Sequence, residues 1–215
     1  MIKAIILDCD GVILNSNGAF LQLYEKVCRK HGIKEKPHEI YKYFGENPKK
    51  ILQAIFGKKD VNSLYREYTF FMKAPGFVRK LRPYHGSSIA IKNLSKKYRL
   101  SVASGGVSAR VKESLKANKL LKYFVVVVAG DDVKKGKPHP EMLHRCMKRM
   151  HAKHKETVYV GDAPSDIIAA KRAGIVSVAV LTGVLDRRTA KKMKADYIVS
   201  DITKIEKLIE SINKT

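Results

Sequence analysis

Two carboxylates stand close together at the end of the first apolar segment of the chain. The run from Ile5 to Leu7 ends in Asp8, and Asp10 and Gly11 follow shortly after it. Such a pair repels itself and loses hydration on burial unless a cation or a proton compensates it. Mg²⁺ is a suitable cation, because it prefers oxygen ligands and is commonly held by carboxylates together with substrate phosphate. The pair indicates a magnesium site, although Asp-Gly alone is also an ordinary turn signal.

A second acidic pair follows a later apolar segment. The run from Val158 to Val160 is followed by Gly161 and Asp162, and Asp166 stands where a helix is expected to begin. Taken alone, Asp166 is also explained as a carboxylate that a helix N-terminus favours. Capping does not explain why two separate strands both end in acidic residues. The two pairs together therefore favour one shared site.

A hydroxyl group and a cation are available between the two acidic pairs. Ser104 opens a Ser-Gly-Gly turn after an apolar run, and its hydroxyl and the free backbone N–H groups there suit a phosphate oxygen. The same tripeptide also occurs in routine loops. Lys137 stands before Pro138, after a strand expected to end near Gly130. A lysine in so basic a chain is usually a surface residue, but this position makes Lys137 a candidate cation for a bound phosphate.

Apolar segments alternate with segments of helical spacing along most of the chain. The apolar segments are short, rich in Val and Ile, and lack polar alternation, which is typical of strands covered on both faces. Their order along the chain predicts an α/β fold with a parallel sheet and right-handed crossovers, and ligands bind at the carboxyl ends of such strands. The expected strands are residues 5–7, 100–103, 123–129, 158–160 and 176–181.

One long segment breaks this alternation. Residues 16–82 have helical patterns but no convincing buried strand, and turn residues such as Gly45 and Pro75 interrupt them. We predict an all-helical insertion at 16–82, with residues 1–15 and 83–215 forming the core domain. Its aromatic residues are expected to build the core of the insertion rather than a surface on which bases stack. They are Tyr41, Tyr43, Phe44, Tyr65, Tyr68, Phe70 and Phe71.

The chain is strongly basic, with 43 Lys and Arg against 20 Asp and Glu and a formal net charge of +23. Such a surplus attracts anions and leaves open an association with nucleic acid, but no nucleic-acid-binding motif accompanies it. A Lys-rich surface that favours solubility is the simpler interpretation. The three scattered cysteines do not suggest a disulfide framework, and no apolar run is long enough to span a membrane. We expect a cytoplasmic protein.

The ordered set of motifs is much more specific than any one of them. Asp-x-Asp-Gly-Val, a serine after a strand, Lys-Pro and Gly-Asp-x-x-x-Asp follow one another along nearly the whole chain. This order resembles the haloacid dehalogenase superfamily, in the branch that includes phosphoglycolate phosphatase-like enzymes and beta-phosphoglucomutase. The resemblance implies a Rossmann-like core with a small helical cap inserted after the first motif, here residues 16–82.

The resemblance also implies a role for each matching residue. Asp8 corresponds to the nucleophile that becomes an aspartyl-phosphate, and Asp10 corresponds to the general acid and base. Ser104 corresponds to the hydroxyl that binds the transferring phosphoryl group, and Lys137 to the cation that steadies it. The implied Mg²⁺ ligands are Asp8, the backbone carbonyl of Asp10, and Asp162, with Asp166 as a further or supporting carboxylate. An acid at position 10 disfavours carbon–halogen and carbon–phosphorus cleavage.

The function expected is hydrolysis of a small phosphorylated metabolite, with phosphoglycolate as the substrate that the resemblance suggests. A phosphomutase that returns the phosphoryl group to a sugar shares all four motifs, so it stays an alternative. A nucleic-acid-associated phosphatase that uses the +23 charge is a second alternative. A binding module without catalysis would leave the carboxylates and the lysine without a purpose. The oligomeric state, monomer or homodimer, is not decided by the sequence.

Overall fold

The computed structural model describes residues 1–33, 37–41, 43–44, 46–57, 59–73 and 76–214. Gly45 and Pro75, two of the expected turn positions, lie outside the described residues. The strands are β1 (Ala4–Leu7), β2 (Leu14–Asn15), β3 (Arg82–Pro83), β4 (Arg99–Ser104), β5 (Val126–Ala129), β6 (Thr157–Gly161), β7 (Val176–Val180) and β8 (Tyr197–Val199). The helices are α1 (Asn17–Lys30), α2 (Pro37–Tyr41), α3 (Pro48–Phe56), α4 (Val61–Met72), α5 (Phe77–Lys80), α6 (Ser87–Lys97), α7 (Ser108–Ala117), α8 (Glu141–Met150), α9 (Pro164–Arg172), α10 (Arg187–Lys192) and α11 (Ile205–Lys214).

Six of the strands form one parallel sheet, in the order β5-β4-β1-β6-β7-β8. Strand β1 lies in the middle, where Leu7 pairs with Val102 of β4 on one side and with Val160 of β6 on the other. Helices connect the successive strands, as parallel pairing requires. The expected α/β fold with a Rossmann-like sheet is confirmed.

The sheet is buried on both faces, which explains why its strands lack polar alternation. Along β1, Ile5 and Leu7 belong to one hydrophobic cluster, and Ala4 and Ile6 belong to another. Successive side chains of a strand point to opposite faces, so the two clusters lie on opposite sides of the sheet. The first cluster includes residues of α6, α7 and α11, and the second includes residues of α8 and α9.

Five helices, α1 to α5, lie between the first strand and the return to the sheet. The chain leaves and re-enters the core through a short antiparallel pair, in which Leu14 pairs with Pro83 and Asn15 with Arg82. The pair spans the predicted boundaries at residues 15 and 83, and the division into two domains stays a prediction. Phe44 and Tyr68 are buried, as expected for the core of the insertion, but Phe70 is 73% exposed.

Some elements differ from the expectation. The strand expected at residues 123–129 begins only at Val126, because Leu121–Tyr123 forms a 3₁₀ turn. The edge strand β8 was not predicted. Among the described helices, none combines the length and the apolar composition that crossing a membrane would require.

The central strand provides a test of the core. We expect Ile5→Ala to lower the free energy of unfolding by about 2–5 kcal/mol, because Ile5 is completely buried and a cavity would remain. Ile89→Ala is the matched control, since Ile89 is 69% exposed on α6 and should change stability by less than about 0.5 kcal/mol. Urea unfolding measures both, and equal losses would contradict the assignment of the core.

Candidate active site

The predicted site residues meet at one edge of the sheet because three adjacent strands end there. Asp8 follows β1, Ser104 is the last residue of β4, and Asp162 follows β6. Strands β4, β1 and β6 are neighbours and run parallel, so their carboxyl ends share this edge. Asp8, Ser104 and Asp162 all line the same cleft.

Lys137 is buried against two carboxylates rather than exposed. Its Nζ donates to Asp8 Oδ2 at 2.8 Å and to Asp166 Oδ1 at 2.7 Å, and its side chain is only 1% exposed. Burial alone would lower the pKa of Lys137, but Asp166 and Asp8 raise it above its ordinary value. The ammonium group therefore stays charged and fixes one oxygen of Asp8. The other, Oδ1, accepts from the N–H of Cys9 at 2.7 Å.

Asp166 is fully occupied by donors from the protein. Besides Lys137, the hydroxyl of Tyr159 donates to Oδ1 at 2.8 Å. Its Oδ2 accepts from the backbone N–H groups of Asp162 and Ala163 at 3.1 and 3.0 Å, at the start of α9. The capping interpretation and the site interpretation of Asp166 are thus both correct. Asp166 orders the lysine and the β6–α9 turn at the same time.

Asp162 is held in a pocket that glycines create. Its Oδ2 accepts from Val184 N at 3.2 Å. A Cβ atom added at Gly11 or at Gly183 would overlap the Asp162 carboxylate. Gly11 also has φ +77°, a conformation that other residues rarely adopt. Glycine at both positions is therefore required for Asp162 to reach the cleft.

Asp10 is bound by an arginine that the sequence analysis did not select. Arg110 on α7 donates to Asp10 Oδ1 at 2.9 Å from Nη1 and to Oδ2 at 2.6 Å from Nη2. The hydroxyl of Ser16 donates to Oδ1 at 2.7 Å. The guanidinium group lies over the ring of Phe20, 4.9 Å from its centroid, and a Cβ at Gly106 would overlap it. This bidentate pair sets the direction of the Asp10 carboxylate.

The turn after β4 places Ser104 at the floor of the cleft. Ser104 is 1% exposed, and its Oγ accepts from Gly106 N at 3.2 Å. Gly105 and Gly106 also line the cleft, so this turn presents backbone as well as the hydroxyl group. Donors and acceptors of this kind suit a phosphoryl oxygen.

The carboxylates carry more negative charge than the neighbouring cations offset. Burial raises the pKa of Asp8 to about 7, with Asp166 adding to the rise and Lys137 opposing it. Burial, Asp166 and Asp8 together raise the pKa of Asp162 well above its usual range. Four carboxylates, those of Asp8, Asp10, Asp162 and Asp166, face two cations in this cluster, Lys137 and Arg110.

A divalent cation fits this excess of two negative charges. Oxygens of Asp8, Asp162 and Asp166 lie within 4.8 Å of one another and are buried. Because the four donors described above occupy both oxygens of Asp166, Asp8 and Asp162 are the side chains with capacity left for a metal ion. An all-oxygen set of this kind suits Mg²⁺. The Asp10 carboxylate is bound to Arg110 and is not part of the cluster.

The cleft continues from these polar groups into the helical insertion. It encloses about 500 Å³, counting its open mouth. The side opposite the carboxylates is apolar and aromatic. The residues on that side are Phe20, Tyr24, Phe44, Pro48, Ile51 and Tyr68. A small substrate with a phosphoryl group at the carboxylates would therefore place its remaining atoms against this wall.

All six residues selected from the sequence lie at this edge of the sheet, and their roles stay predictions. The two missed residues gave little signal. Tyr159 is one polar aromatic residue within a valine-rich strand, and nothing in that pattern predicts its bond to Asp166. Arg110 stands six residues after Ser104, on the helix that leaves the phosphate-type turn. That position is the signal that could have found it.

The comparisons with known proteins agree with this geometry. A model of the haloacid dehalogenase-like hydrolase family matches residues 5–180. The chain belongs to this family. The resemblance stated from the motifs is thereby confirmed, and with it the prediction that the chain is an enzyme that hydrolyses its substrate.

Individual members of the family align with this hydrolase along its whole length. A protein of Caldanaerobacter subterraneus subsp. tengcongensis described as the pyrophosphatase PpaX is 29% identical over 223 residues, covering 99% of this chain and 97% of the relative. A structure from Haemophilus somnus described as a phosphoglycolate phosphatase has a TM-score of 0.87 at 20% identity, covering 97% of this chain and 98% of the other. A Thermotoga maritima structure described as a beta-phosphoglucomutase has a TM-score of 0.74 at 24% identity, covering 98% and 100%.

The glycines around Asp162 give a test of the metal site. We expect Gly183→Ala to lower Mg²⁺ affinity and kcat by at least about tenfold, because the new methyl group displaces the Asp162 carboxylate. Gly18→Ala is the control, since nothing lies within 4 Å of a Cβ there. Activity titrated with Mg²⁺ measures the effect. Unchanged metal affinity in Gly183→Ala would contradict the role of Asp162.

The raised pKa of Asp8 predicts a dependence of stability on pH in the presence of a chelator. Its carboxyl has a pKa of about 7 when folded against 3.8 ordinarily, so between these values the folded chain holds a proton that the unfolded chain has lost. Stability therefore falls as pH rises from 5 to 7, by at most about 1.4 kcal/mol per pH unit for this group. Urea unfolding should show a smaller slope in Asp8→Asn. Identical slopes would contradict the assignment.

Proposed function

We propose that the chain is a magnesium-dependent phosphomonoester hydrolase that forms an aspartyl-phosphate on Asp8. The observation that carries the proposal is the contact between Lys137 and Asp8. A buried ammonium group fixes one oxygen of a buried carboxylate at 2.8 Å, next to a second carboxylate, Asp162, with capacity for a metal ion. An oriented carboxylate in such a site suits nucleophilic attack on phosphorus, because the cations reduce its repulsion of the phosphate.

Each remaining polar group has a task in this mechanism. Ser104 and the turn behind it bind the phosphoryl oxygens. Asp10 gives a proton to the departing oxygen and later takes one from the water that attacks the aspartyl-phosphate, a contribution of about 10²–10⁴-fold. Arg110 and Ser16 keep the Asp10 carboxylate in position. Asp166 and Tyr159 hold Lys137 in turn.

Asp8, Asp162 and the backbone carbonyl of Asp10 would hold Mg²⁺, with Asp166 as a supporting carboxylate that orients Lys137. When bound, the ion would offset the negative charge that gathers as the phosphoryl group meets Asp8. The charge excess among the four carboxylates and two cations of the cluster supports this assignment. The raised pKa values of Asp8 and Asp162 support it as well, because both carboxylates lack a sufficient counter-charge in the protein.

The substrate we propose is a small phosphorylated metabolite. The modest size of the cleft and its aromatic wall favour a compact molecule over a polymer. We place the reaction in the cytoplasm, which the free and buried state of Cys9, Cys28 and Cys146 supports. A phosphomutase activity stays the alternative, and it would need a sugar hydroxyl to receive the phosphoryl group from Asp8. Association with nucleic acid through the +23 charge stays untested.

The mechanism predicts the behaviour of Asp8→Asn. In the presence of Mg²⁺ we expect the wild type to hydrolyse p-nitrophenyl phosphate and the variant to lose at least about 10³-fold in kcat, because the amide is a poor nucleophile. Released nitrophenol measures turnover, and thermal unfolding verifies that the variant is folded. Asp131→Asn, at an exposed position outside the site, is the control. A variant at position 8 with full activity would exclude the aspartyl-phosphate.

A further inference from the structure

Two buried N–H donors at the cleft have no acceptor among the described residues. They are Asn17 Nδ2 and Arg110 Nε, and both residues line the cleft beside Asp8. The Asn17 amide also lies beside Tyr41, whose pKa is raised by burial and lowered in part by this amide. An amide NH₂ group carries two hydrogens, so a contact with one hydroxyl leaves the second free.

Both donors lie around Asp10. Arg110 binds both oxygens of Asp10, through one hydrogen of each terminal nitrogen, and keeps its remaining N–H groups unused. Asn17 begins α1 directly after Ser16, whose hydroxyl donates to the same carboxylate. Because Asp10 is the group proposed to serve the departing oxygen, donors beside it are placed to meet the leaving part of the substrate.

The chemistry of these groups selects the kind of ligand atom. An amide N–H and a guanidinium group only donate, so they require an acceptor. A buried donor without an acceptor is unfavourable, and a substrate oxygen that accepts from it removes that cost. Arg110 is the one cation among the described residues that line the cleft. A negatively charged oxygen therefore satisfies this pair better than a neutral one does.

One further acidic group lies at the cleft and could oppose such a ligand. Glu46 is half-buried and lines the cleft. Its Oε2 accepts from Lys50 Nζ at 3.1 Å, so its charge is already paired. The carboxylates of Asp8 and Asp162 belong to the proposed metal site, where a divalent ion would offset them. An oxyanion beside Asn17 and Arg110 is therefore not in conflict with the acidic floor.

We propose that Asn17 and Arg110 form a subsite for an oxyanion on the leaving part of the substrate. The substrate class is a phosphate ester or anhydride whose leaving group carries a carboxylate or a second phosphoryl group close to the bridging oxygen. The inference rests on the proposed function, because it assumes that the phosphoryl group is transferred at Asp8. Arg110 acts both on Asp10 and on the ligand, whereas Asn17 acts on the ligand alone.

The test compares substrates that differ by this charge within one enzyme. 2-Phosphoglycolate and ethyl phosphate differ by a carboxylate in place of a methyl group, and pyrophosphate supplies the second source of an oxyanion. We expect the wild type with Mg²⁺ to prefer 2-phosphoglycolate, pyrophosphate or both over ethyl phosphate by at least about tenfold in kcat/KM. In Asn17→Asp, which replaces a donor by a negative acceptor, each such preference should fall at least about tenfold.

Asn62→Asp is the matched control, because it adds the same charge at an exposed position where Asn62 Oδ1 already accepts from Lys49. Its preferences should stay within about twofold of the wild type. Asn17→Ala, which removes the donor without adding charge, serves as the second variant if thermal unfolding shows that Asn17→Asp does not fold. A loss confined to 2-phosphoglycolate identifies a carboxylate ligand, and a loss confined to pyrophosphate identifies a phosphoryl ligand.

Two results would overturn the subsite. One is a wild type that does not distinguish ethyl phosphate from either charged substrate. The other is an Asn17 variant that keeps every preference of the wild type. Failure of the mechanism is distinct, because it appears as turnover in Asp8→Asn whatever the preferences are. Inactivity of Asp8→Asn together with unchanged preferences in Asn17→Asp would remove the subsite and leave the mechanism intact.

Discussion

The buried ammonium group of Lys137 holds together parts of the chain that are distant in sequence. It bonds to Asp8 after β1 and to Asp166 on α9, and both ion pairs are almost completely buried. Removing one partner from such a contact leaves a charge buried without compensation, which is strongly destabilising. The order of the sheet makes the contact possible, because β1 lies next to β6. The same contact fixes the carboxylate that is proposed to attack phosphorus.

The charge in the site is deliberately incomplete when only the protein is considered. Burial and mutual repulsion raise the pKa values of Asp8 and Asp162, whereas Asp166 is satisfied by four donors. The chain carries a large positive surplus, yet acidic residues dominate the floor of its cleft. Surface charge therefore attracts anions in general, and selection among them falls to groups in the cleft such as Arg110 and to a bound cation.

The sequence predicted the parts that short-range patterns determine. Unbroken Val and Ile runs identified five strands of the sheet, and acidic or hydroxyl residues directly after three of them identified the edge where they meet. Strand β8 escaped because Tyr197–Val199 is short and only partly buried at the edge of the sheet. Arg110 and Tyr159 escaped because their partners are distant in sequence, and no local periodicity reports such contacts. Phe70 shows that an aromatic residue in a helical pattern can still face solvent.

The central claim is that the phosphoryl group passes through the Asp8 carboxylate. The most direct measurement is a single turnover with Mg²⁺ and excess enzyme, stopped in acid at successive times and followed by mass analysis of peptides. The account predicts a transient gain of one phosphoryl group on the peptide that contains Asp8, rising and falling as phosphate is released. Phosphorylation confined to a peptide without Asp8, or a complete turnover with no labelled peptide at any time, would contradict it.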